Sequence, residues 1–264
     1  MITFCSLYSG SSGNAIYMAY KNTRLLIDAG VSGKKIEAAL AQISVDPKLL
    51  TAILVTHEHG DHISGVGVMA RRYQLPIYAN KQTWRAMYGG SIGKIEKQLI
   101  QVVEEQRAFE LGDFGVQAVG IPHDAAGALA YSFFANNKKV SIATDIGYNR
   151  EGLLQAFEGS DLMLLEANHD IEMLKNGAYP YPLKRRILSE HGHLSNAMAG
   201  EMAVSLVKSG TRKLILGHLS QENNEPQLAY DTVCEVLAAG GIRAGKDIEM
   251  EVAQRYCVSH VHQI

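Results

Sequence analysis

Cysteine is scarce and unpatterned in this chain: Cys5, Cys234 and Cys257 are the only three in 264 residues. That count and spacing fit reduced thiols in a cytosol better than a disulfide framework. Positive charge is not in excess either, with 25 Lys and Arg against 27 Asp and Glu, a formal charge of −2 and a pI near 6.6. A general polyanion-binding coat is thereby excluded, so any nucleic acid would have to be held locally. No apolar run approaches the ~20 residues that span a bilayer. Met1-Ile2-Thr3-Phe4-Cys5-Ser6 shows no basic stretch ahead of a long apolar one, and the expected location is the cytoplasm. Low-complexity tracts are missing as well. With 47% hydrophobic and 20% charged residues, the composition is that of a globular protein long enough to bury a substantial core.

What the chain does contain is a concentration of metal-ligating side chains in one place, Thr56-His57-Glu58-His59-Gly60-Asp61-His62. It follows Ala52-Ile53-Leu54-Val55, whose length and β-branched content fit a buried strand. His57 and His59 then leave the strand end on a loop, while Asp61 and His62 open the next element. Imidazoles with a carboxylate suit zinc, manganese or iron. Adjacent Asp61 and His62 do not easily point with His57 and His59 into one tetrahedron, so the spacing favours two neighbouring metals. Further ligands must come from elsewhere in the chain. A single histidine in a polar turn would carry no such meaning.

Four more apolar runs end in an acid or a histidine: Leu25-Leu26-Ile27-Asp28-Ala29-Gly30, Ile121-Pro122-His123, Ala143-Thr144-Asp145 and Leu216-Gly217-His218. Each alone is weak, since an aspartate after a strand is usually a turn residue. The pattern predicts strands near 2–7, 15–20, 24–28, 52–55, 76–79, 100–103, 114–121, 130–136, 139–144, 161–165 and 213–217. Helices are predicted near 32–41, 64–73, 195–209 and 226–239, with ordinary helix and loop between 80 and 113. Asn136-Asn137 reads as a tight turn. No linker separates the two strand-rich halves, so the expected fold is α/β, one domain over residues 1–264, arranged as an αββα four-layer sandwich.

The five motifs in series resemble those of the metallo-β-lactamase superfamily along almost the whole chain. The resemblance implies that His57, His59 and His123 hold one divalent ion, that Asp61, His62 and His218 hold the other, and that Asp145 bridges both. Asp28 becomes a hydrogen-bond acceptor that braces the histidine loop rather than a ligand. Two ions, zinc or manganese, about 3.5–4 Å apart share a hydroxide nucleophile and clamp the oxygens of a displacement. The three cysteines lie outside the motif positions, which disfavours the lactamases that use a cysteine ligand.

Fold alone leaves the substrate open. Leu164-Leu165-Glu166-Ala167-Asn168-His169 and Glu190-His191-Gly192-His193-Leu194-Ser195-Asn196 are similar to the His-Glu-Ala-Thr and His-Ser-Thr elements of the tRNase Z phosphodiesterases. That similarity implies that Glu166 orients His193, which serves the scissile phosphate or the leaving oxygen. The small-residue loop Ser9-Gly10-Ser11-Ser12-Gly13-Asn14 lets backbone N–H groups approach a ligand oxygen. Ser11, Ser12 and Asn14, with Asn168 and Ser195, are therefore candidate substrate contacts. With Tyr179-Pro180 and Leu183-Lys184-Arg185-Arg186-Ile187 added, the chain resembles the WalJ (YycJ) family over its full length. The family implies a bacterial cytoplasmic metal-dependent nuclease with 5′ to 3′ exonuclease activity on DNA and a repair role.

Lys184, Arg185 and Arg186 form the densest basic cluster, beside Tyr179 and Tyr181, and would hold a nucleic-acid backbone. No long Gly/Pro-rich arm of the tRNase Z kind is present, which disfavours pre-tRNA. Between Asp145 and His218 there is no room for the inserted cap of the β-CASP nucleases. Two other functions use the same residues differently. A small cyclic phosphodiesterase or glyoxalase II-like thioesterase would have little use for the basic cluster, and a non-catalytic adaptor would have no chemical reason to keep seven ligands.

Overall fold

Apolar runs buried on one or both faces become strands in a computed structural model that describes residues 1–88, 90–150 and 152–264. Two compact units result. The first comprises Met1–Gly120, Ala125–Asn137 and Gln254–Ile264, and the second Ile121–Asp124 and Lys138–Ala253.

The first unit begins with β1 (Thr3–Tyr8), β2 (Ala15–Tyr20), β3 (Thr23–Ile27), α1 (Gly33–Gln42), β4 (Ala52–Leu54), α2 (Gly60–Ile63) and α3 (Val66–Tyr73). It continues with β5 (Ile77–Asn80), α4 (Lys81–Met87), β6 (Ile100–Val103), β7 (Ala108–Leu111), β8 (Phe114–Gly120) and β9 (Leu129–Ala135). Strands β3 to β6 run parallel, with Leu25 beside Ala52, Ile53 beside Ile77 and Ile77 beside Ile100. Strands β1 and β2 extend that sheet antiparallel, and β7, β8 and β9 form an antiparallel meander. Helix α1 buries Ile36, Ala39 and Leu40, one stripe at helical spacing. These join Leu26, Ile53, Val66, Met69 and Ile77 in a single apolar cluster.

The second unit is a parallel array of β10 (Lys138–Ala143), β11 (Leu162–Glu166), β12 (Lys213–Gly217) and β13 (Glu249–Val252). Its helices are α5 (Ile171–Asn176), α6 (Tyr181–Ile187), α7 (Asn196–Lys208) and α8 (Pro226–Ala239). Strand β11 is buried at every position, Glu166 included. Helix α7 opens at Ser195, whose Oγ accepts from the Met198 N–H at 3.3 Å, an N-cap. It approaches α8 closely at Gly200, where a Cβ would stand 2.7 Å from that of Val236. The last strand, β14 (His262–Gln263), belongs to the first unit and pairs antiparallel with β1.

The predicted helix over 64–73 is α3, which starts two residues later, at Val66. Gly65 separates α2 from α3, its N–H donating to the Ala29 carbonyl at 2.7 Å. A Cβ there would sit 2.3 Å from the Val31 carbonyl oxygen, so a backbone crossing rather than helix propensity sets the break. Asn136 and Asn137 both have positive φ, 51° and 58°, the conformation of a type I′ turn. The elements missing from the sequence pattern, β7, β13, β14, α5 and α6, are short and carry few buried side chains. No helix among the described residues is long and apolar enough to cross a membrane, and the three cysteines form no disulfide.

Candidate metal centre

Each unit places its chemistry at the carboxyl ends of its parallel strands, where such sheets bind ligands. In the first unit the chain leaves β3 at Asp28, which adopts the left-handed conformation with φ of 56°. Asp28 is 2% exposed and organises the histidine loop. Its Oδ1 accepts from the Thr56 N–H at 2.8 Å, and its Oδ2 from Thr56 Oγ1 at 2.8 Å and His62 Nδ1 at 2.7 Å. With its own proton given to Asp28, Thr56 Oγ1 is left to accept from His57 Nδ1 at 3.1 Å. The imidazoles crowd together, the His57 ring lying 4.1 Å from that of His62 and 4.6 Å from that of His59.

The loop is also held from outside. Tyr131 donates its hydroxyl to the Val55 carbonyl at 2.9 Å, Leu129 its N–H to the Thr56 carbonyl at 3.0 Å, and Ala126 its N–H to Glu58 Oε1 at 2.7 Å. Asn14 is buried, and its side-chain amide spans Gly10, Asp61 and His62. It orders the ligand loop directly. Gly30 is dictated by the same crossing, since a Cβ would lie 1.5 Å from the Asp61 carbonyl oxygen. Ser11 and Ser12 are exposed at the tip of the loop between β1 and β2.

In the second unit Asp145 and His218 leave β10 and β12, both with positive φ, 61° and 56°. Such conformations concentrate at functional sites and persist only where the surroundings over-determine them. Asp145 Oδ1 stands 3.7 Å from His123 Nε2 and 3.5 Å from His218 Nε2. These separations are too long for hydrogen bonds and suit ligands that share a cation. The other nitrogen of each ring is taken. His123 Nδ1 meets the Gly192 carbonyl at 3.1 Å and His218 Nδ1 meets Glu166 Oε1 at 2.9 Å.

Glu166 has more partners than its motif foretold. Oε1 accepts from His193 Nδ1 at 2.8 Å as well as from His218, while Oε2 accepts from the N–H groups of Ile146 at 2.8 Å and Leu194 at 3.0 Å. Burial alone would raise its pKa, but His193 and the two imidazole hydrogen bonds outweigh burial and hold the carboxyl well below the usual range. The pull is mutual. Burial disfavours charge on His193, yet Glu166 and then Asp145 raise it above an ordinary imidazole. Asp145, Glu166, His193 and His218 each offer a ligand atom within 4.8 Å of the others.

Asn168 is buried and donates to the His218 carbonyl at 2.9 Å, positioning that residue. Asn224, for which no local motif gave a signal, donates to the carbonyls of Ala167 at 2.9 Å and Asn168 at 3.0 Å, and to Asn196 Oδ1 at 2.8 Å. It ties the two motifs together. In the basic cluster, Lys184 caps the Lys175 carbonyl, Arg186 pairs with Asp124, and the Arg185 guanidinium lies over the Tyr181 ring.

Comparison with known proteins follows the same lines. A model of the β-lactamase superfamily domain matches residues 23–219. The exodeoxyribonuclease WalJ of Streptococcus pneumoniae is 42% identical over 245 residues, 92% of this chain and 91% of that one. The exodeoxyribonuclease YycJ of Bacillus anthracis is 41% identical over 249 residues, 94% and 93% of the two chains. The chain belongs to the WalJ/YycJ family. The resemblance drawn from the motifs is thus borne out, and with it an enzyme, a hydrolase of the metallo-β-lactamase fold. YhfI of Bacillus subtilis, itself a metallo-β-lactamase fold protein, superposes with a TM-score of 0.72 at 16% identity over 98% of each chain. This WalJ/YycJ member therefore has the α/β fold with two sheets flanked by helices, and its His/Asp clusters suit divalent metal ions.

Proposed function

We propose that this protein is a 5′ to 3′ exodeoxyribonuclease that works in the cytoplasm with two divalent ions, zinc or manganese, and serves DNA repair. The observation that carries the reading is identity of 42% and 41%, over 92% and 94% of this chain, to relatives named exodeoxyribonucleases. The donor set supports the metals. His57, His123 and His218 each have Nδ1 engaged by a protein oxygen, which leaves Nε2 of each as the ligand atom; His62 Nδ1 is engaged by Asp28 in the same way, with the Asn14 amide 3.1 Å from its Nε2. On this reading His57, His59 and His123 would hold one ion, Asp61, His62 and His218 the other, and Asp145 would serve both. Such ions supply Lewis acidity and an activated nucleophile near neutral pH.

The chain's own residues do the rest. Asp61 serves as a ligand, not as a base. Glu166 fixes His193 through Nδ1, so the proton at Nε2 is the one delivered to the departing oxygen. Ser11 and Ser12, exposed at their loop tip, and Arg185 touch the phosphodiester backbone, while Asn14, Asn168 and Ser195 contribute through the loops they order. Lys184 and Arg186 add charge beside Arg185.

The test is a 5′-phosphorylated duplex DNA labelled at its 3′ ends, incubated with manganese-loaded protein and resolved by length. Stepwise shortening that stops on chelation is expected. Intact DNA, or loss of label in one step, overturns the reading. Arg185→Ala is expected to weaken DNA binding and reduce the slope of log affinity against log salt by about one, the value for one lost phosphate contact. An unchanged slope removes Arg185 from the interface.

A further inference from the structure

His169 is a buried histidine that none of the chemistry above uses. It is 1% exposed, and neither Nδ1 nor Nε2 has a hydrogen-bond partner in the protein. Buried polar groups are ordinarily satisfied, and a ring with two unmet nitrogens is a cost that a ligand would remove. The backbone holds the ring in place. His169 and Ser195 form a parallel bridge, and the Asn196 N–H donates to the His169 carbonyl at 2.9 Å.

His169 lines a cavity of about 170 Å³ within the second unit, with Tyr148, Ile171, Leu188, Met198 and, on the same wall, His193. That space exceeds what one water needs and falls below the ~300–1,000 Å³ of sites that engulf a drug-sized ligand. It suits a single heterocycle. The lining contains Glu190 and no lysine or arginine, which disfavours a second phosphate. Apart from Glu190 its large side chains are apolar or aromatic, and Leu188, just past the end of α6, is 47% exposed. Tyr148 offers a stacking face, and Met198 adapts to varied shapes.

We propose that this cavity binds the nucleobase of the nucleotide adjoining the scissile phosphodiester, with His169 hydrogen-bonding the base edge. The inference rests on the phosphodiesterase reading and deepens it, because His193 on the cavity wall serves that same phosphate. A neutral imidazole has one N–H donor and one bare nitrogen acceptor that point in different directions, so His169 can offer a base edge one hydrogen bond of either sense. Burial holds His169 neutral, its pKa pushed down to about 4. A base can enter only when unstacked and unpaired, so the pocket would act on the frayed terminal nucleotide.

The experiment is calorimetric titration of manganese-loaded protein with thymidine 5′-monophosphate and with 2-deoxyribose 5-phosphate, which lacks the base. Wild type is expected to bind the nucleotide about fivefold more tightly, the low end of what one base stack contributes. His169→Phe and Met198→Trp, the first removing the hydrogen bond and the second filling the cavity, are each expected to bring the two affinities together. Equal affinities in wild type, no binding of either ligand, or a preference that survives in both variants overturns the proposal. The DNA digestion is scored separately. Degradation without base preference leaves the nuclease and removes the pocket, whereas base preference without degradation keeps the pocket and removes the nuclease.

Discussion

Glu166→Leu is expected to cost about 3–5 kcal/mol of stability, the range for stripping one partner from a buried charged pair. It is also expected to lower turnover on labelled DNA by about 10²–10⁴-fold, the range of acid–base catalysis. The carboxylate has four donors around it: Nδ1 of His193, Nδ1 of His218 and the N–H groups of Ile146 and Leu194. Leucine has similar bulk and leaves all four unmet. His193→Ala separates the roles, because it removes the acid and leaves His218 aligned. It should show a comparable fall in turnover with unchanged metal content by elemental analysis, while Glu166→Leu loses metal as well. The double variant should be no slower than the worse single one, since the two residues act as a unit. A Glu166→Leu protein with native stability and turnover would remove this carboxylate from the centre. In metal-free protein the sign of the acid effect follows from its lowered pKa. The stability it contributes is present above the ordinary carboxylate value of 4.5 and is lost as pH falls through the folded value. The stability gap between wild type and Glu166→Leu should therefore narrow only as pH falls below the ordinary carboxylate value of 4.5; through the imidazole range the raised His193 widens it as pH falls.

Asp28 plays the equivalent part in the first unit, and Asp28→Asn is expected to weaken metal binding by about 10–100-fold, the usual effect of removing a ligand's hydrogen-bond partner. Asparagine tolerates the positive φ of 56° found there, so the variant keeps the backbone and changes only the acceptor. One amide oxygen cannot serve the Thr56 N–H, Thr56 Oγ1 and His62 Nδ1 together. A buried donor left unmet costs about 1–3 kcal/mol, which denaturant unfolding would register. Competition with a chromogenic chelator measures the affinity. Thr56→Val should have a smaller effect, because it releases His57 Nδ1 while His62 keeps Asp28. Wild-type affinity in Asp28→Asn would mean that the histidine loop holds its shape without the carboxylate.

Both experiments probe one architecture repeated: a buried carboxylate at a strand end that accepts the Nδ1 proton of a histidine and, through it, aims Nε2. The histidines and aspartates announced themselves in the sequence because each follows an apolar run, and a strand end is where rigid backbone meets open space. Glu166 was legible as a partner of His193. Its grip on His218 was not, because Leu165 beside Leu216 and Glu166 beside Gly217 come together only through the β11–β12 register. Asn14 and Asn168 read as substrate contacts by their place in small-residue motifs, but each is buried and spends its amide on an ordering bond.

Local pattern by itself determined the long elements and the family. Residues two apart on a strand or three to four apart on a helix share a face, and burial of that face is written in composition. Hence α7, α8, β2, β6 and β12 fall where the sequence puts them; the series of strand-end motifs suffices to recognise the metallo-β-lactamase superfamily, and the segments 9–14, 166–170, 179–187 and 192–196 narrow it to WalJ/YycJ. Tertiary structure alone decided the break at Gly65, the absence of a Cβ at Gly30 against the Asp61 carbonyl, the Asn224 tie and the unpartnered ring of His169. Each depends on atoms distant in the chain meeting at contact range, and no window of neighbouring residues encodes such a distance.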